Sequence, residues 1–413
     1  MAENTETTKN KKKRMRFQFP FVQRGIRYGE VDVPFFLIVL ALLVMGIIMM
    51  FSASYAWAIA EGHSGTYYAV EQIKTGVIGL ILMYILSVVD YHVYQTPLIA
   101  IGSYVVPVVL LLLVLVVGTS VNGAQRWLYI GSFGFQPSEL MKIGLVIFFA
   151  YLIDMNYGQM QKFRTGILPY LVALGIVAVL LMLEPHLSCT ILIGLIGMTL
   201  IWVGGAKLRH FLILLGVGAG AVIGIVLILS IFEGYSYFST RIQSWLDPFS
   251  DSQGGTWQTC QSLIAIGSGG LFGLGLGESR QKFLYLPETK NDFVFSIVCE
   301  ELGFVGALTV VLLFALLIFR GFHIATHAQD KFGMLVAVGF TMHIGLQAFI
   351  NIAVVSNLVP NTGISLPFFS YGGTALILQL SEMGIVMNIS RARYRTASGT
   401  AASRKKIQAQ ADA

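Results

Sequence analysis

Four polar segments interrupt an otherwise apolar chain of 413 residues, and they hold the residue types that move protons and bind anions. The first is Asn122-Gly-Ala-Gln-Arg126-Trp127, followed by Phe135-Gln-Pro-Ser-Glu139-Leu-Met-Lys142. The second is Glu184-Pro185-His186. The third runs from Arg241 through Gln281-Lys282 and Tyr285-Leu-Pro-Glu288 to Asn291-Asp292-Phe-Val-Phe. The fourth is Pro360-Asn-Thr-Gly363-Ile-Ser-Leu-Pro367-Phe-Phe-Ser370-Tyr371-Gly372-Gly373.

Asp292 stands where a long loop enters an apolar run. A carboxylate there either complements and caps a helix N-terminus or, partly desolvated at a cavity mouth, serves as a general base. Ser296 and Glu300 follow at i+4 and i+8 on about the same face, with Glu300 roughly 12 Å deeper at 1.5 Å per residue. Glu139 and Lys142 are three apart and share a helix face. They are either an ion pair that pins two helices or a cationic wall for an anionic headgroup. Arg241, Arg280 and Lys282 are loop cations; singly they are solvated charges, and together they could clamp a pyrophosphate. Gly273-Leu-Gly275-Leu-Gly277 lacks the Gly-Lys-Ser/Thr ending of a phosphate loop and reads as a turn that needs small residues. His186 and His343 read as structural. Cys189, Cys260 and Cys299 have no metal-ligand spacing and no disulfide framework.

The elements that carry these residues are membrane spans. The chain is 55% hydrophobic and 12% charged, against about 25% charged in a soluble domain. Apolar runs cover roughly 33–53, 74–90, 97–118, 138–154, 165–183, 188–204, 208–231, 293–320, 333–356 and 368–390, each near the ~20 residues that cross a ~30 Å hydrocarbon core. The expected fold is an all-α polytopic membrane protein. About ten spans occupy 33–390, with a large extracytoplasmic loop at 232–292 between spans seven and eight. Basic tails at 1–32 and 391–413 flank it, including Lys11-Lys12-Lys13-Arg14, and most of the 27 Lys and Arg fall on the side of the tails. That asymmetry places both termini in the cytoplasm. The net charge of +6 therefore reads as attachment to anionic membrane lipid and not to nucleic acid. No small-residue cleavage site follows the first run, so it is expected to stay as a signal anchor. The loop's aromatics, among them Trp245, Phe249, Trp257, Phe272, Phe283 and Tyr285, suit a membrane interface. A short amphipathic helix is expected near 258–266, on the bilayer surface or folded into the bundle mouth.

Several of these motifs, in this order, resemble the SEDS family (shape, elongation, division and sporulation proteins), also called the FtsW/RodA family. The likeness covers roughly 30–395 and rests on Asn122–Trp127, Phe135–Lys142, Tyr285–Glu288 with Asp292-Phe293, Glu300-Glu301-Leu-Gly303 and Leu366–Gly373. Gln281–Glu288 and Val359–Gly363 resemble its division and sporulation branch. The resemblance implies a peptidoglycan glycosyltransferase of the bacterial cytoplasmic membrane. Its substrates would be lipid II and the growing glycan strand. Its partners would be a class B penicillin-binding protein, which is a transpeptidase, and other divisome or elongasome membrane proteins.

The family's essential carboxylate falls on Asp292, its Trp on Trp127 and its Glu/Lys pair on Glu139 and Lys142. Glu288 and Ser370, in the matching motifs, join the expected substrate-binding set. Two positions depart from the pattern: Asn291 stands where Thr is frequent, and His186 stands where the family has Asp. The expected chemistry is removal of a proton from the acceptor GlcNAc 4-hydroxyl by Asp292. Lys142, Arg126, Arg241 and Lys282, in that order, are expected at the leaving pyrophosphate. No cofactor is evident and no motif demands a metal, though a divalent cation could share the pyrophosphate. A lipid II flippase and a non-catalytic scaffold for a transpeptidase are the alternatives. A flippase needs a polar path to the inner face, whereas these polar segments gather at the outer one.

Overall fold

The computed structural model describes residues 29–391 except 122, 123, 132, 214, 215, 217, 219, 221–223, 225–235 and 252. Residues 1–28 and 392–413 of the basic tails, the start of the large loop and much of the second half of the expected span 208–231 lie outside the described residues.

Apolar runs become helices because a backbone in hydrocarbon must satisfy its own polar groups. The helices are α1 (Val33–Ala60), α2 (Tyr67–Val88), α3 (Pro97–Val117), α4 (Pro137–Asn156), α5 (Leu168–Leu183) and α6 (Leu187–Val203). They continue with α7 (from 208), α8 (Ser236–Leu246), α9 (Trp257–Ser268), α10 (Val294–Thr326), α11 (Lys331–Val355) and α12 (373–391). Among the described residues, six of these are long and apolar enough to cross a membrane: α1, α2, α3, α5, α10 and α11. Proline opens α3 and α4, where its missing N–H costs nothing. Asp32 caps α1, accepting from Phe35 N at 3.1 Å, and Asp330 caps α11, accepting from Gly333 N at 2.7 Å.

Burial is inverted relative to a water-soluble domain. Glu139, Lys142, His343, Gln347, Asn351 and Glu382 are buried, while Leu98, Val116 and Phe319 are 84%, 79% and 70% exposed. Only lipid can cover such a surface. α11 is the central helix, with 72% of its apolar window buried against 22% for α10. α1, α3, α5 and α11 finish, and α4, α10 and α12 begin, at one end of the bundle, hereafter the site end.

The expected all-α fold is corrected at the site end. Between α3 and α4 lies an antiparallel sheet of β1 (Thr119–Val121), β2 (Ala124–Ile130) and β3 (Phe133–Phe135). β1 and β2 pair from Thr119 with Trp127 to Val121 with Ala124. β1 and β3, at three residues each, are too short to show an alternation, and the seven residues of β2, Ala-Gln-Arg-Trp-Leu-Tyr-Ile, do not alternate apolar with polar. A second correction concerns α2, which starts at Tyr67 and not near 74. Its first turns carry Glu71 and Lys74, an exposed i,i+3 pair at 2.7 Å. A third concerns the last run, where 368–372 is non-helical and α12 begins only at 373.

The large loop folds back onto the bundle. α9 packs on α10 and α11 and buries Thr259, Cys260, Gln261, Ser262 and Ala265. α10 is broken at Gly303, whose φ of 66° and ψ of −166° no helix accommodates. The glycine-rich stretch at 269–277, between α9 and α10, fills the break. Leu274 N and Gly275 N donate to Glu300 O (2.9 Å) and Glu301 O (3.0 Å), while Phe304 N and Val305 N donate to Gly270 O (2.9 Å) and Leu271 O (3.1 Å). A Cβ on Gly303 would stand 2.2 Å from Gly273 N, which is why small residues are needed on both sides.

Candidate active site

Asp292 lies in the turn that precedes α10, and the turn is fixed almost entirely through its backbone. Glu288, at φ 56°, accepts Asn291 N (3.0 Å) and Phe293 N (3.3 Å) on its carbonyl. Its carboxylate accepts Asn291 Nδ2 at 2.5 Å. Thr289 Oγ1 donates to Ala53 O at 2.9 Å, and Ser370 Oγ donates to Asn291 O at 2.6 Å. Tyr371 N donates to Lys290 O at 2.8 Å. Asn351 Nδ2 donates both to Asp292 O (2.7 Å) and to Ile364 O (2.6 Å). The third and fourth polar segments are thereby brought together, as strands of one knot.

The Asp292 side chain itself is part-buried, and no hydrogen bond or ion pair from the described residues reaches its carboxylate. It does not cap α10, whose N-cap residue is Phe293 with no side-chain bond. Burial first, and the charge of Glu288 second, push Asp292 up to about 6 against the pull of Arg241 and Arg126. Gly363, at φ 70°, passes so close that a Cβ there would stand 3.2 Å from Asp292 Oδ2.

The two arginines that act on Asp292 come from different elements. Arg126, on β2, donates from Nε to Glu184 O at 3.3 Å and from Nη2 to Pro185 O. Arg241, on α8, donates to Asn361 O. The sheet is thus latched to the α5–α6 turn, and α8 to the fourth segment. Trp127, half-buried on β2, pairs across the strand with Thr119 and lies with its ring 6.4 Å from that of Tyr129. Glu184 is buried with Oε1 unpartnered, and burial pushes its carboxyl up to about 8 against the pull of Arg126. Burial, helped by the charges of Arg126 and Lys142, holds His186 well below the usual imidazole range. At neutral pH both are uncharged.

Lys142 and Glu139 form their expected pair at 2.8 Å, buried to 2% and 9% exposure. Lys142 Nζ also donates to Gln347 Oε1 at 3.0 Å. Beyond Gln347 the polar chain continues to His343 Nε2 at 3.0 Å, and from His343 Nδ1 to Glu382 Oε2 at 2.8 Å. Gln347, Asn351 and Glu382 were not singled out in the sequence. The signal was present: His343, Gln347 and Asn351 recur every four residues on one face of an apolar helix, a polar stripe that lipid does not tolerate.

Lys282, expected beside an anionic ligand, is instead 3% exposed and bound by Glu301 Oε1 (3.0 Å), Ser52 Oγ (3.0 Å) and Gly277 O. Glu300, expected deeper on the face that carries Asp292, accepts Arg280 N at 3.0 Å and the hydroxyl of Ser279. Ser296 hydrogen-bonds Ser262 at 2.9 Å. That stripe fastens the loop to α10. Arg280 is exposed on the loop.

No group of three or more His, Cys, Asp or Glu able to hold a metal ion occurs among the described residues.

The cell cycle protein family of FtsW, RodA and SpoVE matches residues 33–395. Stage V sporulation protein E of Bacillus subtilis (strain 168) is 41% identical over 373 residues, covering 88% of this chain and 98% of that protein. The protein named "Probable peptidoglycan glycosyltransferase FtsW" of Geobacter sp. (strain M18) is 36% identical over 366 residues, covering 88% and 98%. Among solved structures, one described as a peptidoglycan synthase complex coordinating polymerization and crosslinking aligns with a TM-score of 0.73 at 28% identity, covering 88% of this chain and 99% of that one. The rod shape determining protein RodA of Thermus thermophilus aligns with a TM-score of 0.64 at 28% identity, covering 88% and 98%. A match along almost the whole chain, in sequence and in fold, makes this protein a polytopic membrane member of the FtsW/RodA/SpoVE family, the SEDS proteins.

Proposed function

We infer that this protein is a peptidoglycan glycosyltransferase of the bacterial inner membrane that polymerises lipid II at the site end of the bundle. Relatives bearing that enzyme name match nearly end to end. The observation that carries the mechanism is the state of Asp292: its backbone is clamped from two sides while its carboxylate is left without a partner and near neutrality in pKa. A base is most useful when its pKa lies close to the working pH.

In the reaction, Asp292 takes the proton of the acceptor GlcNAc 4-hydroxyl. The hydroxyl oxygen bonds to the anomeric carbon of the donor, and the bond from that carbon to the pyrophosphate breaks. The leaving group departs as undecaprenyl pyrophosphate, and a single in-line displacement inverts the anomeric centre. Arg126 and Arg241 are assigned to the developing negative charge of the pyrophosphate, a reading supported by the pull both exert on Asp292. Lys142 contributes a deeper positive charge. Trp127, Glu139, Glu288 and Ser370 complete the substrate-facing or substrate-supporting set, whereas the buried pairing of Lys282 supports a structural part for it.

The positive-inside distribution supports ten spans with both termini in the cytoplasm, and therefore a site end on the outer face. The loop at 232–292 then lies outside, where lipid II is consumed. A class B penicillin-binding protein is the proposed partner, in line with the likeness to a complex that couples polymerization to crosslinking.

The test is polymer formation from labelled lipid II by the purified protein with its transpeptidase, in detergent. Sidedness is absent there, so a flippase yields no polymer. Glycan chains from the wild type and none from Asp292→Ala, with partner binding intact, are expected. Chains from Asp292→Ala at the wild-type rate would remove the assignment.

A further inference from the structure

We propose that Gln347 and Asn351 are positioning residues that hold the cation Lys142 and the base Asp292 in register through the backbone at 364–365. The proposal rests on the roles given above to Asp292 and Lys142.

The two amides lie one turn apart on α11, at 1% and 0% exposure. Each grips the fourth polar segment and one reacting group at once. Asn351 Nδ2 donates to Ile364 O and to Asp292 O. Gln347 Nε2 donates to Ser365 O at 3.1 Å, while its Oε1 accepts from Lys142. Consecutive carbonyls of one backbone strand are therefore held by consecutive turns of one helix, with the cation on one side and the base on the other. Packing alone would favour leucine at both places, because a buried amide is costly unless its polar atoms are matched, and Asn351 keeps its two donated bonds even though its Oδ1 has no hydrogen-bond partner among the described residues.

Proton accounting shows that Gln347 cannot turn round. Ser365 O only accepts, so the amide nitrogen faces it and the amide oxygen faces both Lys142 Nζ and His343 Nε2. A lysine ammonium only donates. His343 Nε2 must then carry hydrogen, and a single proton lies between His343 Nδ1 and Glu382 Oε2. Whichever of the two holds it, the His343–Glu382 pair is neutral overall. The pair anchors the orientation of Gln347 without adding a net charge beside Lys142. Of the three N–H groups of Lys142, Glu139 and Gln347 take two, and no described residue takes the third. At 2% exposure Lys142 is a fixed positive charge behind the site, acting on substrate charge through its field and not as a direct ligand.

The test measures kcat and KM for lipid II polymerisation by the full-length protein with its transpeptidase. Gln347→Leu should lower kcat about 10- to 100-fold, the loss expected for one charge-assisted hydrogen bond, with KM changed less than about threefold. In a Lys142→Ala background the same change should cost nothing further, because Gln347 acts through Lys142. His343→Gln, which keeps an N–H toward Gln347, should retain activity that His343→Leu loses. Where the Lys142→Ala rate falls below detection, or Gln347→Leu fails to fold, the two His343 variants decide. A wild-type kcat for Gln347→Leu, an additive loss in the Lys142→Ala background, or equal rates for the His343 variants would overturn the proposal. A wild-type rate for Lys142→Ala would instead remove the role given to Lys142 itself.

Discussion

Asp292 is held without being satisfied. Its carbonyl and its neighbours' polar groups have partners, and its carboxylate has none among the described residues, so the site keeps an unneutralised acid where water is scarce. An acid poised near 6 predicts a rate that climbs about tenfold per pH unit below that value and levels off above it, since only the ionised form accepts a proton. The acid limb of kcat/KM against pH reads this directly, and a limb near the ordinary aspartate range would contradict it. Gly363 is the residue whose smallness keeps the carboxylate accessible. Gly363→Ala should cost about 1–2 kcal/mol through its left-handed φ. By pressing a methyl group on Oδ2, it should also slow polymerisation more than it lowers the melting temperature.

α10 shows how an element can be built from two segments. Its break at Gly303 leaves carbonyls and N–H groups that a single helix would have paired, and residues 270–275 of the loop take them up. Lys282 and Glu301 then seal the loop to α1 through Ser52. Either single alanine substitution should destabilise the protein by roughly 3–5 kcal/mol, because it strands a buried charge. The double change Lys282→Met with Glu301→Leu should cost less than either single change. Thermal melts of the three variants check this, and a mild single-variant loss would return Lys282 to the anion-binding set. Most of the helices were legible in the sequence because hydrocarbon demands long apolar runs. The sheet was not, because its two outer strands are three residues long and its seven-residue middle strand does not alternate apolar with polar. The break at Gly303 and the burial of Lys282 were hidden for a different reason: both depend on a partner 19 or more residues away, and no local pattern announces it. The place of Asp292, by contrast, was legible because a carboxylate at the head of an apolar run is conspicuous, while its proposed role came from the family resemblance.

At the scale of the whole molecule, burial is turned inside out, and that inversion gathers the chemistry at one end. Arg126, Glu184, Asp292 and the 360–371 backbone meet where five connections of the bundle converge, while the opposite end carries the His92 contacts to Asp90 (2.6 Å) and Asp330 (3.0 Å). The proposed orientation makes a chemical prediction. Cys189, Cys260 and Cys299 are all buried, so the native chain should react little with a membrane-impermeant maleimide. Glu278→Cys, on the exposed loop at the site end, should label in intact cells, and Lys162→Cys, exposed at the other end, should label only after permeabilisation. The reverse pattern would place the site in the cytoplasm.

The most direct measurement pairs activity with stability in one variant. In the folded chain Asp292 titrates at about 6, above its unfolded value. Its contribution is therefore favourable at low pH and is lost as pH rises through 6. Asp292→Asn keeps the shape and removes the charge. At pH 7 it should raise the melting temperature by a few degrees, for a gain on the order of 1–3 kcal/mol, and form no glycan chains from lipid II. A variant that melts higher yet polymerises at the wild-type rate would contradict the account.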